Sequence, residues 1–245
     1  MAFTNCYDDG TRAEAYATLE FKNTYHLAYR DLPVILEAHV RGRNSIDFGC
    51  GTGRSTRFLR RLGFEVTGVD IAVDMIRKAH ELDPSGDYRL VGSDDVPGDD
   101  LGSFPSGTYD LVLAAFTFDN IAGPDSKVRI LRQLGRLLNR DGKLVLIVSR
   151  PEIYTHEWAS FSTKDFPENQ AAKSGEKVRI IVTDYADRRP VEDILWTDDA
   201  YRDVFEKSQL RVIGKYEPLA RGDEPYAWVS EGQIAPWAVY VLEKC

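Results

Sequence analysis

The sequence predicts an α/β fold, a doubly wound and mostly parallel sheet, and three observations carry that expectation. A short strand over 45–48 runs into three alternating glycines, Gly49, Gly51 and Gly53, and then into a helix. From there to residue 149 strand and helix patterns alternate, which calls for parallel strands joined by helical crossovers. The strand over 110–115 is apolar from Leu111 onward, as a central strand covered on both faces must be.

Taken in order, residues 1–43 hold Tyr7, Tyr16, Phe21, Tyr25 and Tyr29, and their apolar positions from Asp31 to Val40 recur at helical spacing, predicting two helices before the first strand. A helix over 54–62, a strand over 65–69, a helix over 73–82 and a strand over 88–91 follow. Beyond the 110–115 strand comes a helix over 126–139. Arg140-Asp141-Gly142 is expected to end it, with the glycine in the left-handed conformation, and a strand follows over 143–149. After Arg150 the alternation stops. Residues 176–185 and 191–196 read as an antiparallel pair joined around Asp187-Arg188-Arg189-Pro190, so 150–197 is an insertion on the working edge of the sheet. A helix over 199–208, capped by Thr197 or Asp198, and strands over 210–216 and 236–243 complete the pattern.

With 245 residues, 43% of them hydrophobic, the chain can bury one large core. A formal charge of -8 argues against nucleic acid as a partner, because phosphate binding draws on basic patches. Cys6, Cys50 and Cys245 are far apart and lack metal-ligand spacing, so no disulfide framework and no metal site is expected, and a cytoplasmic location follows. No apolar run is long enough to span a bilayer.

Gly49, Gly51 and Gly53 allow a tight turn and let a ligand approach the positive end of the next helix. Asp70, closing the second strand, sits where a carboxylate accepts both hydroxyls of a ribose. The pairing of loop and acid is a nucleoside signature. A nicotinamide dinucleotide site favours a third glycine in G-x-G-x-x-G. Here Arg54 stands in that place counted from Gly49, and Thr56 counted from Gly51, which counts against an NAD-dependent oxidoreductase.

The run Asp47-Phe48-Gly49-Cys50-Gly51-Thr52-Gly53 instead resembles the first motif of class I S-adenosylmethionine-dependent methyltransferases, an acid followed by G-x-G-x-G. The segment Val69-Asp70-Ile71-Ala72-Val73-Asp74-Met75 resembles that family's second-strand segment, with Asp70 on the ribose and Met75 near adenine. Val91-Gly92-Ser93-Asp94-Asp95 lies where the family meets the adenine amino group, with the choice between Asp94 and Asp95 open. Tyr109 to Phe116 resembles the fourth strand. The resemblance covers residues 45–149.

It implies a Rossmann-like sheet of seven strands with the last antiparallel. It also implies a single domain divided into a helical lid (1–43), a cofactor-binding core (44–149), a substrate-side insertion (150–197) and a closing helix and strands (198–245). The implied cofactor is S-adenosylmethionine, leaving as S-adenosylhomocysteine. Its expected contacts are Tyr16 and Arg30 from the lid, with Asp47, Gly49, Cys50, Gly51, Gly53, Asp70, Ile71, Met75, Ser93, Asp94, Asp95, Ala115 and Phe116 from the core. Tyr16 and Arg30 are placed on the methionine carboxylate.

The implied reaction is in-line transfer of a methyl group to O, N or C of a small-molecule acceptor, by a monomer or homodimer, with no nucleic acid or membrane partner. Alignment and exclusion of water supply much of such catalysis, so a base is optional. Candidates for one follow the fourth and fifth strands: Asp119, beside Asn120, and His156 with Glu157, the histidine because its pKa suits proton transfer near neutrality. Ser149 and Glu152 are further polar groups for orienting the acceptor, and Trp158, Phe161, Trp196, Tyr226 and Trp228 supply aromatic walls. A methyltransferase-like protein that binds cofactor without catalysis is the remaining alternative.

Overall fold

The computed structural model describes residues 10–92 and 101–245, with side chains from Ala13 onward. Three short helices, α1 (Gly10–Ala17), α2 (Asn23–Arg30) and α3 (Leu32–His39), precede β1 (Asn44–Phe48), where the sequence suggested two. The extra break lies over 18–22, which leaves helical geometry and turns Leu19 and Phe21 inward. Leu19 is buried, and Phe21 packs its ring on Tyr29 and Phe58.

Next come α4 (Arg54–Arg61), β2 (Glu65–Asp70), α5 (Val73–Leu82), β3 (Asp87–Leu90), β4 (Tyr109–Ala115), α6 (Pro124–Leu137) and β5 (Leu138–Ser149). The insertion adds β6 (Phe161–Ser162), β7 (Lys177–Val182) and β8 (Val191–Ile194), and the chain ends with α7 (Asp198–Lys207), β9 (Leu210–Tyr216) and β10 (Trp237–Lys244). Thr197 settles the choice of cap for α7, its hydroxyl accepting from Ala200 N at 3.3 Å.

The main sheet has seven strands in the order β3-β2-β1-β4-β5-β10-β9. The first five are mutually parallel, and β10 runs antiparallel to both β5 and β9. A separate antiparallel sheet, β6-β7-β8, forms the insertion, so the expected pair gains a third strand.

Alternation along the central strands builds two cores. Leu111, Leu113, Val145, Ile147, Trp237, Val239 and Val241 face one side, with α2, α3 and the insertion. Val112, Ala114, Leu144, Leu146, Val148, Ala238, Tyr240 and Leu242 face the other, with α6 and α7.

Gly142 does not close a helix. The α6 helix stops at Leu137 because Leu138 swings into extended geometry and pairs with Tyr109, starting β5 five residues before the expected Lys143. Gly142 is needed for another reason: a Cβ there would stand 2.6 Å from the Tyr109 carbonyl oxygen, where the β4–β5 register shifts.

A buried polar knot ties three distant segments over the sheet. Thr24 of α2 donates its hydroxyl to Glu231 Oε1 at 2.6 Å and accepts from Ser160 N at 2.9 Å, while its carbonyl accepts from Trp237 Nε1 at 2.8 Å. Thr24, Ser160 and Glu231 are all fully enclosed. Removing the hydroxyl strands a buried amide and weakens the hold on a buried carboxylate. Thr24→Val is expected to lower unfolding free energy by about 2 kcal/mol, measured by urea denaturation; a loss below about 0.5 kcal/mol would show that the knot is dispensable.

Candidate functional site

The strand order reverses direction at β1 and β4, and a crevice opens beyond their carboxyl ends. Gly49 N and Cys50 N both donate to Val69 O, at 2.8 and 3.0 Å, so the glycine turn folds across β2. Asp70 holds the turn from the other side. Its Oδ2 accepts from Gly51 N at 2.8 Å, and its Oδ1 accepts from Ala72 N at 2.9 Å.

The three glycines serve different ends. Gly51 has φ +53, and a Cβ there would meet nothing nearer than the Tyr16 ring at 3.6 Å and Met75 Sδ at 4.0 Å. That position faces open space. Gly49 and Gly53 are also left-handed, but a side chain on either would strike Thr117 or Tyr88 within 2.5 Å. Those two are glycines for packing.

The crevice has a cavity volume of about 390 Å³. Of the residues expected from sequence it brings together Tyr16, Gly49, Gly51, Asp70, Ile71, Met75, Ala115 and Phe116. Ile71, Met75, Val91 and Leu101 give it an apolar slot. Thr117, Asn120, Ser126, Arg129 and Gln133 add a polar side. Ser126, Arg129 and Gln133 lie three and four residues apart on α6, so a polar stripe at helical spacing was their sequence signal.

Four expected contacts stand elsewhere. Arg30 is spent on Asp31, Glu224 and the Leu219 carbonyl, because a salt-bridge partner in the 217–236 segment takes its guanidinium away from the crevice. Asp47 lies beneath the loop, fully enclosed, its Oδ2 accepting from Ser55 Oγ at 2.7 Å and Thr56 Oγ1 at 2.6 Å. It clamps the first turn of α4. Cys50 turns its side chain into an apolar cluster with Ile76, Ala79 and Tyr88, and Gly53 serves the start of α4. Ser93, Asp94 and Asp95 lie outside the described residues.

Arg54, the residue that spoke against a dinucleotide, buries its guanidinium among Tyr16, Phe21, Tyr25 and Tyr29, 4.7–5.9 Å from their ring centres. Burial works against its charge, but the surrounding tyrosines hold its pKa above the ordinary arginine value. This cation ties α1 and α2 to the glycine turn.

A second niche adjoins the crevice, sharing Tyr16, Phe116 and Asn120 with it. Phe116 sits at the junction with φ +64, a left-handed conformation that costs a non-glycine residue about 1 kcal/mol or more. Its ring packs 4.7 Å from Trp237 and 5.7 Å from Tyr25, which keeps the backbone there. The niche has aromatic and aliphatic walls and a polar end made by Asp119, Ser149, Tyr154 and Asp193.

Asp119 accepts from Ser149 N with both oxygens at 3.1 Å and from Ser149 Oγ at 2.8 Å. Tyr154 donates its hydroxyl to Asp193 Oδ2 at 3.0 Å. Lys127 approaches from α6, fully enclosed, donating to the Phe118 carbonyl with its ammonium 4.7 Å from the Trp196 ring. Burial raises the pKa of both acids and lowers that of the lysine, and for Asp193 the nearby charge of Asp119 adds to the rise.

His156 and Glu157 line neither cavity. Burial works to raise the Glu157 pKa, but the bonds from Thr163 N and Oγ1, at 2.7 and 3.0 Å, hold the carboxyl below its usual value. His156 Nδ1 faces Glu152 O and Thr155 Oγ1 at 3.1 Å. The short helical turn over 151–154 points this stretch along the insertion's rim, so being close to β5 in sequence does not bring it to the site. Of the aromatic residues expected as walls, Phe161 reaches the niche; Trp158 is bonded to Ile153 O, and Trp196 covers Lys127.

Residues 46–146 match the family model described as a methyltransferase domain. Among curated relatives, an ubiquinone biosynthesis O-methyltransferase of Xanthomonas oryzae pv. oryzae is 33% identical over 111 residues, 44% of this chain and 43% of that protein. A demethylmenaquinone methyltransferase of Thermotoga maritima is 29% identical over 124 residues, 50% and 49% of the two chains. The chain thus spans about half or less of the length of these two relatives. Among solved structures, an S-adenosylmethionine-dependent methyltransferase from Clostridium acetobutylicum superposes with a TM-score of 0.62 at 12% identity, covering 98% of this chain and 99% of that one. One from Mesorhizobium loti gives 0.60 at 17% identity, covering 87% and 97%.

Residues 46–146 therefore carry a methyltransferase domain, within a fold shared with S-adenosylmethionine-dependent methyltransferases of known structure. The cofactor that goes with this domain is S-adenosylmethionine.

Asp47 gives a test of the loop's foundation. Burial pushes its pKa up to about 6, against the pull of its bonds from Ser55 and Thr56, whereas unfolded it releases its proton near 3.8. Between those values the folded state binds more protons than the unfolded one, so this group makes stability fall as pH rises, with no further change above about 6. Asp47→Asn is expected to flatten the fall in unfolding free energy by up to about 1.4 kcal/mol per pH unit in urea titrations across that window. An unaltered slope contradicts the burial argument.

Proposed function

We propose that this protein transfers the methyl group of S-adenosylmethionine to a small-molecule acceptor held in the niche beside Phe116. One observation carries the reading: a crevice with the glycine turn and Asp70 at its floor opens, past Tyr16, Phe116 and Asn120, into a separate niche with its own polar end. Two ligands can meet there.

The crevice suits the cofactor. Asp70 is where a ribose would bind, the slot of Ile71, Met75, Val91 and Leu101 suits a flat base, and the open face of Gly51 leaves room for the chain that carries the sulfonium. S-adenosylmethionine supplies an already activated methyl group. The protein's part is then to align the acceptor, through Phe116 and Asn120 at the junction, and to shut out water with α1, α2 and the insertion. The four segments 1–43, 44–149, 150–197 and 198–245 are read as one domain serving this division of labour.

One of the two relatives is named as an O-methyltransferase of ubiquinone biosynthesis, the other as a demethylmenaquinone methyltransferase. The family match ends at residue 146, whereas Tyr154, Val191, Asp193 and Trp237 of the niche lie beyond it. The acceptor is therefore argued from the niche and not from those names.

Asp70→Ala is expected to weaken S-adenosylhomocysteine binding by about 1.5–3 kcal/mol, roughly 10- to 150-fold, in calorimetric titration. Wild-type protein is expected to bind S-adenosylhomocysteine and not NAD. Unchanged affinity in the variant, or NAD binding alone in the wild type, would sink this reading.

A further inference from the structure

The niche has a polarity that methyl transfer in general does not require. Among the described residues no basic side chain lines it, while two carboxyl groups reach it. They are differently occupied. Asp119 has both oxygens engaged by Ser149. Asp193 is 8% exposed and lines the niche, and only its Oδ2 accepts a hydrogen bond, from Tyr154; among the described residues Oδ1 accepts none. Of the buried cations nearby, Lys127 is turned to the Phe118 carbonyl and the Trp196 face, and Arg54 lies among the tyrosine rings of the amino-terminal helices; neither lines the niche.

An anionic group placed here would be buried against two carboxyl groups with no basic side chain among the lining residues to meet it, an arrangement disfavoured in a low-dielectric site. A group that donates hydrogen bonds and carries positive charge is matched on every side. A carboxylate oxygen can accept from it, and Tyr25, Phe116, Tyr185 and Trp237 give an aromatic wall for the carbon skeleton that carries it.

We propose that the niche takes the amino group of a small aryl-alkyl amine, with Asp193 as the acceptor of its N–H bond and of its proton during transfer. This rests on the methyl-transfer reading above and names its acceptor. In the step, the bound ammonium group first passes a proton to ionised Asp193 at Oδ1, which frees the nitrogen lone pair; that pair forms the N–C bond, the C–S bonding pair leaves with sulfur as a neutral thioether, and the methylated nitrogen carries the positive charge that sulfur gives up. Asp193 is suited to that proton. Its burial, the charge of Asp119 and the neighbouring Glu192 favour its protonated form, while Tyr154 and Lys127 pull the other way.

Calorimetric titration of S-adenosylhomocysteine-loaded protein with three probes of one skeleton, phenethylamine, 2-phenylethanol and phenylacetate, tests this. Phenethylamine is expected to bind at least tenfold tighter than 2-phenylethanol, with no binding of phenylacetate. Asp193→Asn is expected to weaken phenethylamine at least tenfold, to leave 2-phenylethanol and S-adenosylhomocysteine within twofold, and to cut kcat for labelled methyl transfer to phenethylamine at least a hundredfold. Equal or tighter binding of the alcohol or the acid overturns the proposal, as does absent amine binding or an indifferent Asp193→Asn. Failure of wild-type protein to bind S-adenosylhomocysteine would overturn the cofactor reading instead. If the variant does not fold, the wild-type probe series still decides.

Discussion

The reversal of strand order between β1 and β4 is the constraint on which the rest of this molecule depends. To one side of it the chain winds through β2 and β3, to the other through β5, β10 and β9, so the loops leaving β1 and β4 part. Thr117, just past β4, spans that gap by donating to the Phe48 carbonyl at 2.9 Å. Every ligand-facing feature is arranged around this opening: the glycine turn on one lip, Phe116 and Asn120 on the other, Asp70 below.

Polar groups at the opening are divided between building the turn and facing the crevice. Asp47 and Asp70 illustrate the division. Asp47 is buried under the turn and satisfies the hydroxyls of Ser55 and Thr56, at the expense of a desolvated carboxyl whose Oδ1 has no hydrogen-bond partner among the described residues. Asp70 holds the amides of Gly51 and Ala72 while still lining the crevice. Arg54 adds a third constraint, since its aromatic cage couples the placement of the amino-terminal helices to the start of α4.

The niche beside Phe116 is built across a seam rather than within one element. Tyr25 comes from α2, Tyr154, Tyr185, Val191 and Asp193 from the insertion, Trp237 from β10, and Asp119 from the turn after β4. Holding these together falls to buried polar contacts, the Thr24–Ser160–Glu231 knot above the sheet and the Asp119–Ser149 bonds at its edge. Buried polar groups of this kind contribute less to stability than to fixing one arrangement, because a displaced partner leaves an unsatisfied group in a dry interior.

The amino-acid sequence by itself determined the sheet, the glycine turn and Asp70, because periods of two and 3.6, a left-handed turn and an acid at a strand end are all set by neighbours along the chain. It reached the antiparallel pair of the insertion for the same reason. Only the tertiary structure decided where long-range partners fall. Arg30 looked suited to a ligand carboxylate and found Glu224 instead; His156 followed β5 and was carried to the rim. Asp193, Tyr154 and Lys127 carry no local pattern that marks them, and they gather beside Asp119 because the insertion folds back over α6 and the end of β4. A buried charge is recognisable only once its surroundings exclude water, and those surroundings come from segments distant in sequence.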